Sequence, residues 1–238
     1  MLKKRILITG ATSGIGAATY EIAIKNGHTV FIAGRNEAVL AEMASKNANT
    51  FFLKTDVTNV EEVKAMTSAA VLQMGGIDVL LNNAGLGIFD LLEDAKLEDW
   101  HTMVDVNIKG VLNVLHTSLP HLIASTGHII NLGSLASHFV FPNSGVYSAT
   151  KHAVFAISES IRTELAKKVR VTTISPGAVN TPFVEQTKNE ALLAQFRPSF
   201  AAGMPVEWVA QQILNAIEVP DGVNVSEIIM RPFLPENK

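Results

Sequence analysis

The 238-residue chain contains no cysteine. Disulfide scaffolds, thiolate metal sites and cysteine nucleophiles are therefore excluded. It has no large excess of charge of either sign. Nineteen Lys and Arg stand against 22 Asp and Glu, a formal net charge of −3. That balance gives no reason to expect nucleic acid or an anionic membrane as partner. No uncharged apolar run approaches the roughly 18 residues of a membrane-crossing helix, so no membrane span is expected. The seven His lack His-Glu-x-x-His or similar ligand spacing, and no metal centre is expected. Linkers, low-complexity segments and internal repeats are also missing. The opening Met1-Leu-Lys-Lys-Arg-Ile-Leu-Ile-Thr-Gly10 enters a strand pattern almost at once. It leaves no room for the apolar region of a signal peptide, and a cytoplasmic protein is expected.

What is present is a hydrophobic content of 47%, enough for one α/β domain with a sizeable core, expected over residues 1–238. Short apolar runs alternate with helical patterns from end to end. Ile6–Thr9, His28–Ala33, Thr50–Lys54, Ile77–Leu81, His128–Leu132, Val169–Ile174 and Asn224–Met230 read as strands. The stretch after Gly16 through about Lys25, Glu37–Ser45, Val60–Met74, Leu97 to about Ile123, Tyr147 to about Lys168 and Pro205–Val219 read as helices between or after them. The helix after Leu97 is expected to break or bend near Pro120. Such alternation means a parallel sheet with helices on both faces and right-handed crossovers. Gly10, Arg35, Asp56, Asn83, Ser134 and Pro176 each fall just after a strand. All would open onto the carboxyl edge, where such sheets bind ligands.

Gly10-Ala-Thr-Ser-Gly14-Ile-Gly16 links the first strand to the first helix. Glycines there permit a tight turn and let backbone N–H groups approach a pyrophosphate at a helix N-terminus. The spacing differs from G-x-G-x-x-G, and no Lys follows as in a Walker loop. The second strand ends at Gly34-Arg35, where an NAD-binding fold would carry an acidic residue for the adenosine ribose. Glycine leaves room, and a guanidinium suits a 2′-phosphate, which favours NADP. The alternative is a solvated Arg opening the next helix. Asn82-Asn83-Ala84-Gly85 is either a crevice wall close to a ligand or an Asn-rich turn. Asn107 lies inside a helical pattern, a poor place for Asn, so it is exposed or needed. Residues 180–204 are mixed, with Pro182, Pro198 and Gly203. They read as an irregular lid over a cleft or as a poorly ordered connector.

Tyr147-Ser-Ala-Thr-Lys151 places a phenol and an ammonium four residues apart on one helical face. A unit charge about 4 Å from the hydroxyl, at an effective dielectric of about 20, favours the phenolate by roughly 4 kcal/mol. That is on the order of three pK units, which would bring a Tyr from near 10 toward neutrality. Such a Tyr would exchange a proton with a substrate oxygen. The other reading is a surface Tyr beside a solvated Lys.

Taken together, these motifs resemble the short-chain dehydrogenase/reductase family. They are Thr9-Gly-Ala-Thr-Ser-Gly-Ile-Gly16, Asn82-Asn-Ala-Gly85, Asn107, Ser134, Tyr147-x-x-x-Lys151 and Pro176-Gly-Ala-Val-Asn-Thr181, in the family's order and over the whole chain. The resemblance implies a single doubly wound Rossmann-type domain with a seven-stranded parallel sheet. It implies NADP(H) held by the first turn (Gly10, Thr12, Ser13, Gly14, Ile15, Gly16) and by Gly34 and Arg35. Asp56 and Val57 would meet the adenine, and Asn83, Ala84 and Gly85 would line the ribose crevice. Pro176, Gly177, Val179 and Thr181 would meet the carboxamide end. Tyr147 would be the general acid/base, Ser134 would polarise a carbonyl, and Lys151 would hold the nicotinamide ribose and lower the Tyr pKa. Asn107 would bend its helix and hold a water in a proton relay. Gly133 stands where a Ser often precedes the catalytic one. The closing Asn224-Val-Ser-Glu-Ile-Ile-Met-Arg-Pro232 resembles a subgroup of NADP-dependent reductases. That subgroup oxidises serine and 3-hydroxy acids or reduces varied ketones and aldehydes.

The expected reaction is interconversion of a carbonyl and a secondary or primary alcohol, with a small molecule as partner. A homodimer or homotetramer paired through residues 97–123 and 147–168 is expected. Two other readings are an NADP-binding regulatory protein without turnover and a lyase or epimerase using tightly held NAD. Phe139, Phe141, Phe183, Phe196 and Phe200 either line an apolar substrate pocket or pack internally.

Overall fold

The computed structural model describes residues 3–220 and 222–233. Residues 1, 2, 221 and 234–238 of the expected domain lie outside the described residues. Seven strands form one sheet: β1 (Arg5–Thr9), β2 (Thr29–Gly34), β3 (Thr50–Lys54), β4 (Val79–Asn82), β5 (His128–Leu132), β6 (Arg170–Pro176) and β7 (Glu227–Met230). Their spatial order is β3-β2-β1-β4-β5-β6-β7, and each neighbouring pair is parallel. The chain winds outward from β1 to β3, then crosses back to β4 and winds the other way. The switch point therefore lies between β1 and β4, where two loops diverge and leave a crevice at the carboxyl edge.

Side-chain alternation in the strands builds two cores. Ile6 and Ile8 of β1 and Val30 and Ile32 of β2 face one side, fully buried. They pack against α1 (Gly14–Lys25), α2 (Glu37–Ser45) and α8 (Val206–Ile217) through Tyr20, Ala23, Leu40, Val209 and Ile213. Leu7 and Phe31 face the other side with Leu80, Ile129 and Val171. Their partners are α3 (Val60–Met74), α5 (Val111–Ala124) and α6 (Gly145–Glu164), by way of Val63, Met66, Val114 and Val154. A one-residue slip of β1 would exchange the two faces, so the register is strongly specified. Each large apolar side chain buried this way contributes about 1.5–3 kcal/mol. A third, smaller cluster sits above the carboxyl edge and includes Leu86, Phe89, Met103, Tyr147, Val184 and Leu193.

The structure differs from the sequence expectation in two places. Of the break or bend expected near Pro120, the break is absent. α4 (Leu97–Val104) passes into a six-residue π-helical turn, Asp105–Gly110, and α5 then runs through Pro120 to Ala124. Leu115, Ser118 and Leu122 are buried on both sides of the proline. Their packing outweighs the roughly 3 kcal/mol that proline costs a helix interior. Residues 180–204 are also more ordered than expected. They hold a 3-10 turn, Pro182–Gln186, and α7 (Glu190–Ala201), which contains Pro198. Asn189 caps α7 by accepting from the Leu192 N–H at 3.2 Å, and Leu192 and Leu193 are buried. Val179 pairs with Met204, so this segment leaves and rejoins the fold at one point.

Among the described residues, no helix is long and apolar enough to cross a membrane. Nor does any group of three or more His, Asp or Glu among them form a metal-binding cluster.

Candidate functional site

The crevice at the switch point is a cleft of about 700 Å³. Its floor comes from the turn between β1 and α1. Gly10 has φ +64°, and a Cβ there would lie 2.8 Å from Ala84 Cα and 2.9 Å from Asn83 Nδ2. Only glycine permits that approach. The Asn83 amide uses it to donate to the Thr9 and Gly10 carbonyls, both at 2.9 Å. Thr9 Oγ1 in turn accepts from the Asn83 and Ala84 N–H groups at 3.2 Å. The first turn is thereby fastened to the end of β4.

Ser13 stands at the N-cap of α1 without a side-chain cap hydrogen bond. The first-turn N–H groups of a 12-residue helix thus look into the cleft uncapped, as a bound pyrophosphate requires. Thr12, Ser13, Gly14 and Ile15 line it on this side. Asn83, Ala84 and Gly85 line it from β4, and Pro176, Gly177, Val179 and Thr181 from β6. A Cβ on Gly14 would sit 3.5 Å from Thr181 Cγ2, so the first turn and the segment after β6 meet across the cleft. These features fit a nicotinamide dinucleotide.

Six of the expected site residues stand off the cleft lining. Gly16 is buried beneath the first turn. Gly34 lies beside Thr12, with a built Cβ 3.1 Å from its methyl group. Arg35 is exposed at the carboxyl end of β2. Asp56 accepts from the Thr58 N–H at 2.9 Å and the Thr58 hydroxyl at 2.8 Å. Val57 is buried against Gly110, and its carbonyl accepts from Asn113 at 2.9 Å. Asn107 is buried in the π-helical turn, where its side chain bonds Leu86 and, at 3.1 Å, Thr150.

Ser134, Tyr147 and Lys151 come together on the far wall. Ser134 caps the 3-10 turn Leu135–Ser137, its Oγ accepting from the Ala136 N–H at 3.1 Å. That Oγ is 3.5 Å from the Pro176 carbonyl, a long hydrogen bond, and is also hydrogen-bonded to Tyr147. Lys151 donates to the Leu132 carbonyl at 2.8 Å, and its Nζ lies 5.9 Å from the centre of the Tyr147 ring. Helical spacing put both side chains on one face, as the sequence required.

The electrostatics correct the sequence expectation. Burial pushes the Tyr147 phenol up to about 12, and only the hydrogen bond with Ser134 opposes it. Burial also pulls the Lys151 ammonium down to about 8. The reason is geometric. The ammonium stands over the ring and is bound to a carbonyl, and both groups are withdrawn from water. Desolvation of the phenolate then sets the direction of the shift.

Phe89 was not anticipated as a lining residue. It follows the Asn82–Gly85 stretch, and nothing in Gly85-Leu-Gly-Ile-Phe89 distinguishes it from a core residue. Its ring stands edge-on to Tyr147 with centroids 5.5 Å apart. Phe141, Phe183, Phe196 and Phe200 line the cleft as expected, whereas Phe139 does not. It is exposed, with the Arg231 guanidinium 5.6 Å from its ring centre.

Comparison with known proteins adds three findings. A family model described as short chain dehydrogenase matches residues 4–192. An uncharacterized oxidoreductase of Staphylococcus saprophyticus is 39% identical over 235 residues, covering 96% of each chain. Among solved structures, the closed form of a serine dehydrogenase complexed with NADP+ superposes with a TM-score of 0.88 at 31% identity, over 98% of each chain. A short chain dehydrogenase/reductase from Burkholderia phymatum in complex with NAD gives 0.86 at 25% identity, over 99% of this chain and 98% of that one.

Proposed function

The chain belongs to the short chain dehydrogenase family of oxidoreductases, and from that premise we propose that it interconverts a carbonyl and an alcohol with NADP(H), using Tyr147 as general acid/base. The observation that carries the reading is the convergence of Ser134, Tyr147 and Lys151 on a cleft whose other end is an uncapped helix N-terminus. When bound, a reduced nicotinamide would supply the hydride that the carbonyl carbon receives. The Ser134 and Tyr147 hydroxyls donate to the oxygen on which negative charge grows, and so favour the transition state over the ground state. Tyr147 passes its proton to that oxygen. The substrate thereby gains one hydride and one proton and becomes the carbinol.

A phenol pushed up to about 12 keeps its proton at neutral pH, which suits an acid in the reducing direction. The Lys151 ammonium over the ring lowers the cost of the phenolate left behind. In this reading Lys151 also holds the nicotinamide ribose, and the residues from Gly10 to Gly16 hold the pyrophosphate. Asp56 and Val57 meet the adenine, and Asn107 holds the wall on which Gly85 lies. Residues 180–204 form the lid. Preference for NADP rests on Gly34, which leaves room, and on Arg35, whose guanidinium is exposed and suits a 2′-phosphate. A cytosolic homodimer or homotetramer belongs to the same reading. Leu97 and Leu112 stand exposed within residues 97–123, one of the two stretches expected to pair.

The experiment is NADPH and NADH oxidation by the purified protein over a carbonyl panel, with NADPH binding measured separately. Tyr147→Phe is expected to lower turnover by orders of magnitude while NADPH still binds. Near-normal turnover in that variant refutes the role of Tyr147. Tight NADPH binding with no turnover of any carbonyl or alcohol supports a regulatory protein instead.

A further inference from the structure

The substrate end of the cleft is walled by aromatic rings that come from opposite sides of the site. Phe89 stands edge-on to Tyr147, and Phe183 is tilted against it with centroids 5.6 Å apart. Behind them, Phe196 lies 5.1 Å from Phe89, and Phe200 stacks on Phe183 at 6.2 Å. The acid/base phenol is therefore flanked by two rings, with two more rings behind them. Gly87 sets their placement. A Cβ there would meet Phe183 at 2.8 Å and Phe89 at 3.0 Å, so a side chain would displace one ring or both.

Charge is as telling as shape. Lys151 is the one charged side chain lining the cleft among the described residues, and it faces the Leu132 carbonyl. Residues 180–204 contain two cations, and both are engaged elsewhere. Lys188 pairs with Asp99 at 2.5 Å, and Arg197 grips Glu185 through two contacts of 3.0 and 2.7 Å. The polar side chains that this segment turns to the cleft, Gln186, Ser199 and Thr181, are neutral. A substrate carboxylate would lose its water here and find no dedicated cation, whereas an aryl or bulky alkyl group would find rings on several sides.

Given the proposed carbonyl chemistry, on which this rests, we propose that the substrate is a neutral ketone or aldehyde bearing an aryl or bulky alkyl group. On this reading, small hydroxy acids and oxo acids are excluded by the missing counter-charge. The aromatic box, with Gly87 behind it, is the specificity determinant. The reaction is unchanged: hydride from the reduced nicotinamide to the carbonyl carbon, and a proton from Tyr147 to the oxygen.

Matched pairs test this with the full chain and NADPH. Methyl acetoacetate and acetoacetate differ in charge, and butyrophenone and butanone in the aryl group. The ester is expected to exceed the acid in kcat/KM by roughly 100-fold, and the aryl ketone the small one by at least ~10-fold. Phe196 touches Phe89 but not Tyr147. Phe196→Ala should therefore raise KM for butyrophenone by ~10-fold and narrow the butyrophenone-to-butanone ratio of kcat/KM. Phe196→Arg should cut the ester-to-acid ratio by ~10-fold. If Phe196 variants do not fold, Phe200→Ala is expected to act like Phe196→Ala. Acetoacetate turned over as well as its ester, with activity lost in Tyr147→Phe, overturns the substrate inference and leaves the carbonyl chemistry standing. Turnover indifferent to Tyr147→Phe, or no turnover at all, overturns both.

Discussion

Asn107 and Leu86 bond each other as two residues of adjacent strands would, except that one of the two uses its side chain. The Asn107 Oδ1 accepts from the Leu86 N–H at 2.9 Å, and its Nδ2 donates to the Leu86 carbonyl at 2.8 Å. The pair ties the π-helical turn to the loop leaving β4. That loop carries Gly85, Gly87 and Phe89, so one carboxamide fixes both a wall of the cleft and the start of its aromatic lining.

Replacing Asn107 with Ala leaves both Leu86 groups buried and unpaired. Each costs about 1–3 kcal/mol. The expected outcome is a loss of roughly 2–4 kcal/mol in urea unfolding. Asn107→Asp keeps the acceptor but turns a buried carboxylate oxygen toward the Leu86 carbonyl, so at neutral pH it should lose at least as much as Asn107→Ala and recover in acid. Equal stability of Asn107→Ala and the wild type would mean that the loop has another anchor.

The frame of this fold was legible because local sequence fixes it. Uninterrupted apolar runs at Ile6, Val30 and Ile129 admit only doubly covered strands, and the spacing from Tyr147 to Lys151 sets one helical face. What stayed hidden depends on contacts distant in sequence. α7 was masked by Pro198, whose cost is met by burial of Leu192 and Leu193. The direction of the Tyr147 shift was hidden too. Proximity of Lys151 could be read from spacing, but the burial that sets the direction is completed by segments distant in sequence, among them those carrying Phe89 and Phe183, whose rings pack on Tyr147. The role of Phe89 depends on the same meeting of segments.

Burial pulls Lys151 down from 10.5 to about 8. Between those values the unfolded chain binds the proton more tightly, so wild-type stability rises with pH across that window. Below about pH 8 the folded protein bears the cost of a buried charge, on the order of 3 kcal/mol. Lys151→Met removes the charge and gives up the bond to Leu132, which offsets part of the gain. The variant is expected to melt above the wild type at neutral pH, with the gap closing as pH rises from about 8 toward 10.5. Its turnover should be lost. Thermal melts across that range decide it, since a gap independent of pH would acquit the ammonium.

Arg35 is exposed at the end of β2 and makes no hydrogen bond or ion pair among the described residues. A guanidinium bonded to a 2′-phosphate contributes about 1.5–3 kcal/mol, or about 10–100-fold in affinity. Arg35→Ala should weaken NADPH binding by that factor and change NADH binding by less than about threefold. Fluorescence titration of both cofactors checks it. An equal loss for the two would place the guanidinium away from the 2′ position.

His128 begins β5 and is buried, with its Nε2 2.8 Å from Thr172 Oγ1. Its Nδ1 has no hydrogen-bond partner among the described residues. Burial first, then the charges of Arg170 and Lys4, pull the imidazole down from 6.5 to about 3. Between those values the unfolded chain takes up a proton that the folded chain refuses. Stability contributed by the neutral ring is therefore full above about pH 6.5 and is lost as pH falls toward 3, by up to about 1.4 kcal/mol per unit. His128→Gln has no such proton to gain. At neutral pH it should cost about 1–2 kcal/mol for imperfect packing. Its stability should nonetheless decline less steeply in acid, so the two curves converge and then cross or meet as pH falls. Urea unfolding of both proteins at a series of pH values between about 4 and 8 reads the two slopes, and carboxylates shared by both cancel in the difference. Parallel curves would mean that the buried ring is protonated in the folded state or that water reaches it.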